Sequence, residues 1–301
     1  NRLTSLVSIK QLNEPTIEWL LRRAQYFVDN EPQTYVRGTA VNLFFEPSTR
    51  TALSFQIAAQ RLGLKMLDFT IENSSTCKGE SLIDTLQTVN ALGVQLAVVR
   101  HGDDWPTLIA EENLRLALVN AGSGHYEHPT QALLDALTIK QHFGGFSGLK
   151  VTIVGDIRHS RVARSNKLLL ELMGAQVSFS GPEIFYPYDI ADCRWVDFDQ
   201  AVAESDVVMM LRVQHERHQE RFDVSDYNGR FGLNSFRLKQ MKKDAIILHP
   251  GPVNRSVEVT GEVLQDSRCK ILQQVANGVA VRMAVLEWCF QEERCEQLVS
   301  A

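Results

Sequence analysis

The sequence predicts an α/β protein of two domains, each a mostly parallel sheet flanked by helices. Short apolar runs alternate with helical segments along the chain, and this alternation is typical of parallel sheets. A chain of 301 residues with 44% hydrophobic composition can bury two cores of ordinary size. Gly144-Gly145 ends one helix, after which the alternation begins again. We therefore expect one domain over 1–143, completed by a C-terminal helix near 277–301, and a second over 144–276.

The composition argues against several classes of protein. The formal net charge is −5, from 31 basic and 36 acidic residues, and no long basic block is present, so nucleic-acid binding and anionic-membrane binding are not expected. The five cysteines are scattered and odd in number, which disfavours a disulfide framework and a cysteine zinc site. This cysteine usage suits a reducing compartment, and we expect the cytoplasm. No apolar run approaches the length of a membrane span.

The first domain begins with a helix and continues with a strand, a turn and a second helix. The first helix has Asn13 as a suitable N-cap. The residues 40–45 read as a buried strand, and Thr49–Leu62 reads as an amphipathic helix. The apolar stripe of the first helix comprises Ile17, Leu20, Leu21, Ala24, Phe27 and Val28. The packing face of the second is expected to carry Ala52, Phe55, Ala59 and Leu62.

The turn between that strand and helix is the first candidate site. Ser48, at the N-cap position, Thr49 and Thr51 supply hydroxyl groups beside the free N–H groups of a helix start, which attract anions. Arg50 is a cation at a helix N-terminus, so it opposes the helix dipole unless an anion compensates. These features favour an anion with several oxygens, above all phosphate. An ordinary helix cap with a solvated arginine is the alternative explanation.

Two later stretches place polar groups near the same edge of the predicted sheet. A polar loop over 72–80 offers hydroxyls and Lys78 to an anion, or it is a plain surface loop. Arg100 follows a buried strand over 93–99, and ligands of open α/β sheets bind beyond the carboxyl ends of the strands. After a strand over 115–119, a glycine-rich loop leads into a helix over 130–143. His128, beside Gln131, fits a hydrogen-bond donor to a carbonyl oxygen, and it lacks the ligand spacing of a metal site.

The second domain repeats the strand–helix alternation. Strands are expected over 149–154, 176–180, 207–211 and 245–248, and a helix over 162–173. The loop at 155–161 has one glycine where a dinucleotide fingerprint needs three, and it carries Arg158 and Arg161 instead. Beyond the third strand, Arg212 and Gln214 alternate and suit a carboxylate. Beyond the fourth, His249-Pro250-Gly251-Pro252 forms a rigid loop whose carbonyl groups must face something other than a strand.

Four of these stretches together resemble one family, in order and spacing, along essentially the full length. They are Ser48-Thr49-Arg50-Thr51, His128-Pro129-Thr130-Gln131, Arg212-Val213-Gln214 and His249-Pro250-Gly251-Pro252. The chain resembles the aspartate/ornithine carbamoyltransferase family, and within it the catalytic chain of aspartate carbamoyltransferase. The resemblance implies a transferase that moves the carbamoyl group of carbamoyl phosphate to L-aspartate, giving N-carbamoyl-L-aspartate and phosphate, early in de novo pyrimidine (UMP) biosynthesis. It implies no cofactor and no metal.

The resemblance also implies roles for individual residues in binding carbamoyl phosphate. The Ser48–Thr51 motif would hold the phosphate, and Arg100 would reach both the phosphate and the carbonyl oxygen. Thr51 and His128 would polarise that carbonyl. The groups that would accept from the carbamoyl amine are Gln131 and the backbone carbonyls of Pro250 and Gly251. The catalytic residues implied are Arg50, Thr51, Arg100 and His128.

For aspartate, the resemblance implies two carboxylate sites. Arg161 would hold the α-carboxylate, and Arg212 with Gln214 would hold the β-carboxylate. Glu46 and Arg217 resemble the residues that link the two domains in the closed form of the family.

The resemblance further implies a homotrimer with active sites shared between subunits. The neighbouring subunit would supply Ser74, Ser75 and Lys78, and Lys78 would also contact aspartate. A regulatory chain or a dihydroorotase stays open as a further partner.

Two other functions stay open. Ornithine carbamoyltransferase shares the phosphate motif, but it characteristically has His-Cys-Leu-Pro where this chain has His249-Pro250-Gly251-Pro252, and a cationic substrate side chain would be repelled by Arg212. A non-catalytic relative that serves as a scaffold is the second alternative, although every motif residue required for turnover is present.

Overall fold

The computed structural model describes residues 3–69, 80–110, 112, 114–213 and 226–291. The chain forms two compact units, one of Asn1–Leu137 with Val275–Ala301 and one of Thr138–Gln274. Both boundaries between the units, at 137/138 and at 274/275, fall inside helices. The described residues hold two four-stranded sheets in which every pairing is parallel, so the predicted fold class is confirmed. The functional domain limits at 143 and 276 stay a prediction.

The elements alternate along the chain as expected for parallel sheets. The strands are β1 Thr39–Phe44, β2 Lys65–Phe69, β3 Leu96–His101, β4 Ala117–Ser123, β5 Lys150–Val154, β6 Gln176–Ser180, β7 Val207–Met210 and β8 Ile246–Leu248. The helices are α1 Glu14–Asp29, α2 Thr49–Leu62, α3 Leu82–Ala91, α4 Trp105–Leu108, α5 Pro129–Phe143, α6 Arg161–Leu172, α7 Phe198–Glu204, α8 Tyr227–Phe231, α9 Ser235–Gln240, α10 Gly261–Gln265 and α11 Ile271–Phe290. No helix in these ranges combines the length and the apolar character needed to cross a membrane.

The sheet of unit 1 has the strand order β2-β1-β3-β4. Phe44 at the end of β1 lies opposite Arg100 in β3. One face of this sheet packs against α3 and α4, because both helices direct apolar side chains toward the sheet. The buried members of the resulting core include Val41, Leu43, Leu86, Ala97, Val99, Trp105 and Leu118.

Helical periodicity predicted α1 and α2 well, with small differences in which residues are buried. The sequence predicts Val28 in the buried stripe of α1, but it is 45% exposed because it lies at the edge of the stripe. Ala52 is half-buried rather than central, since the packing face of α2 is rotated toward Thr51, Ser54 and Ala58.

Two strands in unit 1 differ from the sequence prediction by more than one residue at each end, and β1 is shifted by one residue from the predicted 40–45. The strand predicted at 93–99 begins at Leu96, because Gly93 adopts a positive φ of 84° in the turn that ends α3. Arg100 and His101 therefore belong to β3 instead of following it. The strand predicted at 115–119 extends to Ser123, where the pairing of β3 with β4 shifts register.

Unit 2 has the strand order β6-β5-β7-β8, which repeats the arrangement of unit 1. Its core is built around β5, β7 and β8, whose apolar side chains meet those of α7, α9 and α10. The buried members include Val154, Phe198, Val202, Val208, Met210, Leu233, Ile247, Val259 and Val263.

Two helix starts around unit 2 differ from the sequence prediction. The sequence predicts Arg161 in a loop, but it is the first residue of α6, because Ser160 caps the helix by accepting from the Ala163 N–H at 3.1 Å. The last helix begins at Ile271 instead of residue 277, since the residues between contain no glycine or proline to interrupt it.

Both sheets contain a point where the strand order reverses direction. In unit 1 it lies between β1 and β3, and in unit 2 between β5 and β7. Ligands of open α/β sheets bind in the crevice outside the carboxyl ends of the strands at such points. The loops after these strands are therefore the places to look for a site.

Candidate active site

The start of α2 lies directly after β1, at the reversal point of unit 1. Ser48 occupies the N-cap position as predicted, yet its side chain makes no capping hydrogen bond. Arg50 is exposed in the first turn, while the Thr51 side chain is largely buried. An uncapped helix start that carries a cation is suited to bind an anion, since the helix N–H groups and the guanidinium then act together.

Arg100 lies at the end of β3, the other strand of the reversal point. Its backbone carbonyl accepts from the Phe45 N–H at 2.8 Å, which ties it to the segment after β1. Its Nη1 donates to the Ala121 carbonyl of β4 at 3.2 Å. Its Nε lies 3.5 Å from a carboxylate oxygen of Glu46. Three segments thus position the half-buried guanidinium at the edge where α2 begins.

The sequence predicted a partner for Glu46 in the other domain, Arg217, which lies outside the described residues. Within unit 1, Glu46 pairs with Arg100.

His128 immediately precedes α5, in the loop that follows β4. The loop is braced by the hydrogen bond from the Ser123 N–H to the Glu127 carbonyl at 3.0 Å. The carbonyl of His128 accepts from the Gln131 N–H at 3.1 Å, which places the imidazole at the helix start. His128 is 4% exposed and Gln131 is 8% exposed. His128 therefore lies directly before α5 and Gln131 lies on its first turn, beyond the carboxyl end of a strand.

Glu127 anchors this loop to the N-terminal segment of the chain. Its carboxylate accepts from the Ile9 N–H at 2.8 Å and from the Ser8 hydroxyl. Burial raises the pKa of Glu127, although the hydrogen bonds from Ser8 and Ile9 act in the opposite direction. The position of His128 thus depends on a half-buried carboxyl group beside it.

The structure adds a buried carboxylate that the sequence analysis did not identify. Asp135 is 0% exposed, one turn after Gln131 on α5, and its Oδ1 accepts from Gln131 Nε2 at 3.0 Å. The signal was present in the sequence, since Asp135 stands among Leu133, Leu134, Ala136 and Leu137. A charged residue inside an apolar helical run needs a partner or a function.

In unit 2, Arg161 is the first residue of α6 and follows β5. It is 8% exposed. Like Arg50, it is a cation in the first turn of a helix, where the dipole favours an anion. Each unit therefore has an arginine in the first turn of the helix after a reversal-point strand, although Ser160 caps α6 whereas Ser48 does not cap α2.

The loop after β8 is held rigidly by His249. The Gly251 N–H donates to His249 Nδ1 at 2.8 Å, so Nδ1 carries no proton and Nε2 is the donor to Glu258 Oε1 at 3.0 Å. Gly251 has a φ of 69°, a conformation that glycine adopts without strain. The peptide between Gly251 and Pro252 is cis. These contacts determine where Pro250 and Gly251 place their carbonyl groups.

Asn254 joins that loop to the segment after β7. Its side-chain amide donates to the Val213 carbonyl at 2.9 Å, next to the half-buried Arg212. This hydrogen bond therefore links the Pro250–Gly251 loop to the residue that follows Arg212. Tyr227 is buried in the same unit, and burial together with the charges of Glu258 and Asp156 raises its pKa.

Several predicted site residues lie outside the described residues. They are Ser74, Ser75, Lys78, Gln214 and Arg217. Their roles stay predictions.

Models of two known domain families match the two halves of the chain. The carbamoyl-P binding domain model of aspartate/ornithine carbamoyltransferases matches residues 4–141, and the Asp/Orn binding domain model matches residues 147–289. The chain belongs to the aspartate/ornithine carbamoyltransferase family. The predicted resemblance is thereby confirmed.

Individual members of the family are similar to this chain over nearly their whole length. The aspartate carbamoyltransferase catalytic subunit of Listeria welshimeri is 47% identical over 295 residues, which cover 97% of each chain. That of Lactobacillus helveticus is 42% identical, with 95% of this chain and 94% of the relative covered.

Solved structures of family members are similar in fold. Aspartate transcarbamoylase from Trypanosoma cruzi in complex with carbamoyl phosphate has a TM-score of 0.86 and 29% identity, with 96% of each chain covered. The same enzyme in complex with N-(phosphonacetyl)-L-aspartic acid has a TM-score of 0.82 and 29% identity, with 96% and 95% covered.

The chemical character of the site follows from its side chains. The candidate residues of both units are mainly cations and hydrogen-bond donors. Such groups stabilise negative charge that grows on an oxygen during acyl transfer. In this family the chemistry is carbamoyl transfer, and the chain is a carbamoyltransferase.

Proposed function

We propose that this chain transfers the carbamoyl group of carbamoyl phosphate to the amine of L-aspartate. The observation that carries the proposal is that each described motif residue follows the carboxyl end of a strand, at or next to the reversal point of its sheet. Relatives named as aspartate carbamoyltransferases share 42–47% identity with the chain, which supports aspartate as the acceptor. The reaction would supply carbamoyl-aspartate for de novo pyrimidine biosynthesis.

In this proposal unit 1 binds carbamoyl phosphate. The first turn of α2, with Ser48, Thr49, Arg50 and Thr51, binds the phosphate. Arg100 contacts both the phosphate and the carbonyl oxygen. The support is its position in β3 beside the segment that follows β1.

The remaining groups act on the carbamoyl carbon. His128 and Thr51 donate to the carbonyl oxygen, where negative charge grows in the transition state. Gln131 and the carbonyls of Pro250 and Gly251 accept from the carbamoyl amine. Holding both reactants in this geometry lowers the barrier without a nucleophilic side chain.

Unit 2 binds aspartate in this proposal. Arg161 pairs with the α-carboxylate and Arg212, with Gln214, pairs with the β-carboxylate. A guanidinium binds a carboxylate through two parallel hydrogen bonds, which positions as well as attracts it. The amine then attacks the carbamoyl carbon.

The reaction balances without a further reactant. The aspartate nitrogen forms a bond to the carbamoyl carbon, and the bond from that carbon to the phosphate oxygen breaks. The leaving phosphate takes the proton released by the amine. We infer this last step from the donor character of the site, and a pH–rate profile that requires an ionised protein carboxylate would contradict it.

We further propose that the active unit is a homotrimer with shared sites. Ser74, Ser75 and Lys78 of a neighbouring subunit complete the phosphate site, and Lys78 also contacts aspartate. Unit 1 exposes the apolar side chains of Leu53 and Ile57 on α2, which supports an interface with another copy of the chain. The relatives' description as a catalytic subunit supports a regulatory chain as a further partner.

We place the enzyme in the cytoplasm. Cys193, Cys269 and Cys289 are free thiols in the described part of the chain, and free thiols suit a reducing compartment.

Product analysis tests the proposed function directly. The purified chain is incubated with carbamoyl phosphate and an equimolar mixture of L-aspartate and L-ornithine. We expect N-carbamoyl-L-aspartate and phosphate in equal amounts, with citrulline at the level of the enzyme-free control. Citrulline as the main product would establish the ornithine branch of the family, and no product with either amine would establish a non-catalytic relative.

A further inference from the structure

Helix α5 carries a buried polar pair one turn apart. Gln131 and Asp135 are spaced four residues apart, so their side chains lie on the same face of the helix. Gln131 Nε2 lies 3.0 Å from Asp135 Oδ1. Gln131 is 8% exposed and Asp135 is not exposed at all. The contact is therefore part of the interior and not a surface interaction that water can replace.

Asp135 lies near a buried cation from α11. Arg282 is 4% exposed, and its guanidinium carbon lies 5.1 Å from the centre of the Phe55 ring of α2. A Cβ atom at Gly278 would come within 2.7 Å of Arg282 Nη1, so the glycine provides the space for the guanidinium. Burial lowers the pKa of Arg282 to about 10, against the attraction of Asp135, which raises it. Arg282 is thus charged at neutral pH.

The charge of Arg282 determines the ionisation state of Asp135 and so the direction of its hydrogen bonds. Removing the partner of a buried charge is strongly unfavourable, so the carboxylate of Asp135 balances the guanidinium. An ionised carboxylate accepts hydrogen bonds and cannot donate one. The amide of Gln131 must therefore turn its NH2 group toward Asp135. Its carbonyl oxygen, Oε1, is then on the opposite side of the amide.

The direction of this amide matters for the substrate. A carbamoyl group carries an NH2 donor, whereas an acetyl group of similar size carries a methyl group at the same position. An amide that presents Oε1 accepts from the carbamoyl NH2, but it gains nothing from the methyl group. An amide turned the other way would place two donors face to face.

We propose that Asp135, held charged by Arg282, is a positioning residue that orients the Gln131 amide and so makes the site select carbamoyl phosphate over acetyl phosphate. This inference rests on the proposed role of Gln131 in the carbamoyl phosphate site. It adds two residues to that site, neither of which touches the substrate. The selection is exerted through the direction of one hydrogen bond.

The test compares two acyl phosphates in the Asp135→Asn variant of the full-length chain. The KM for carbamoyl phosphate and the inhibition constant of acetyl phosphate are measured at saturating aspartate, and their ratio gives the selectivity. An asparagine can donate or accept, so the Gln131 amide is no longer held in one direction. We expect the selectivity to fall about tenfold, the value of one ordinary hydrogen bond, through a higher KM for carbamoyl phosphate alone.

A matched control separates positioning from packing. Glu287→Gln also converts a buried carboxylate of unit 1 into an amide, and its partner Arg23, 2.6 Å away, is remote from the candidate motifs in sequence. We expect its selectivity to equal that of the unsubstituted chain. If Asp135→Asn weakens both acyl phosphates equally, Asp135 has only a structural role and the inference is wrong.

A second variant covers the case in which Asp135→Asn does not fold. Asp135→Asn combined with Arg282→Met removes both buried charges, and such paired replacements are often tolerated. The double variant should show the same loss of selectivity, and an unchanged selectivity would overturn the inference.

The failure of the inference is distinguishable from the failure of the proposed function. If the unsubstituted chain forms no carbamoyl-aspartate, the proposed function is wrong. If it turns over normally and Gln131→Met leaves the selectivity unchanged, Gln131 does not contact the carbamoyl amine, and the inference falls with that role. If Gln131→Met lowers the selectivity but Asp135→Asn does not, only the positioning role of Asp135 is wrong.

Discussion

His249 and Glu258 form a fully buried pair in unit 2, with 3.0 Å between Nε2 and Oε1 and no exposed side-chain surface on either residue. The same carboxylate oxygen accepts from the Asn254 N–H at 2.7 Å. One acceptor atom thus holds both the start of the loop, through His249, and its far end, through Asn254. The carbonyl groups proposed to bind the carbamoyl amine lie between these two contacts.

Two replacements of Glu258 should show how much its hydrogen bonds, as distinct from its charge, contribute to the stability of the chain. Glu258→Gln retains an oxygen that can accept from His249 and Asn254, whereas Glu258→Met leaves both donors buried without an acceptor. We expect the methionine variant to lose about 2–6 kcal/mol of unfolding free energy, since each of the two unpaired donors costs about 1–3 kcal/mol. Urea denaturation measures the difference. If the two variants are equally stable, the hydrogen bonds of Glu258 do not hold the loop.

Periodicity in the sequence predicted most elements, because it reports local burial. The start of α2 at Thr49 and both ends of β6 agree with the expected positions. The strand order could not be predicted in this way, since parallel neighbours such as β1 and β3 are joined through distant chain segments. The reversal points that collect the candidate residues became visible only with the strand order.

The contribution of Arg50 to catalysis can be tested with a control on the same helix. Arg50→Ala should lower kcat by about two to three orders of magnitude, because it removes a charge that stabilises the transition state. Arg61 is an exposed arginine in the last turn of α2, and Arg61→Ala should leave kcat unchanged. Steady-state rates together with a thermal unfolding curve for each variant provide the measurement. Equal kcat values for the two variants would remove Arg50 from the site.

His128, directly before α5, allows the same kind of test. His128→Ala should reduce kcat by about 100-fold or more, since the donor to the carbonyl oxygen is lost. His142 lies in the last turn of the same helix and is exposed, so His142→Ala is the matched control. A His128→Ala variant with normal turnover would show that this imidazole does not polarise the carbonyl.

Mixing two inactive variants tests whether the sites are shared between subunits. In the proposed trimer, Arg50→Ala and Lys78→Ala damage opposite halves of each site, so each variant alone should be nearly inactive. After joint unfolding and refolding of equal amounts, roughly a quarter of the original activity should return, because each mixed trimer then holds one intact site in three. The control is refolding each variant by itself. Activity that stays at background after mixing would show that one chain supplies both residues.

Buried charges were the part of the site least accessible to sequence reasoning. Asp135 and Arg282 are far apart in the chain, and the hydrogen bond of Gln131 to Asp135 depends on which face of α5 is interior. The same holds for the half-buried Glu127, because the N-terminal segment that partly covers it lies far away in sequence. Motif residues, by contrast, could be identified because they follow strands or begin helices.

The raised pKa of Glu127 predicts a specific dependence of stability on pH. Its carboxyl group binds a proton more tightly in the folded chain than its ordinary value of 4.5 implies, since burial disfavours the charge. The folded state therefore loses stability as the pH rises from about 4.5 through the raised value. Glu127→Gln removes this titration, while the amide oxygen can still accept from the Ile9 N–H. The stability of the variant relative to the unsubstituted chain should increase over that pH range and level off above it.

Glu262 provides a control of opposite sign for this measurement. It is exposed in the first turn of α10, where hydrogen bonds from its own N–H and from Thr260 lower its pKa. Its ionised form favours the folded state, so Glu262→Gln should become relatively less stable as the pH rises through the lowered value. Unfolding curves in urea at a series of pH values between about 3 and 8 compare the two variants. If Glu127→Gln shows the same pH trend as Glu262→Gln, the carboxyl group that anchors the His128 loop is not raised in pKa by burial.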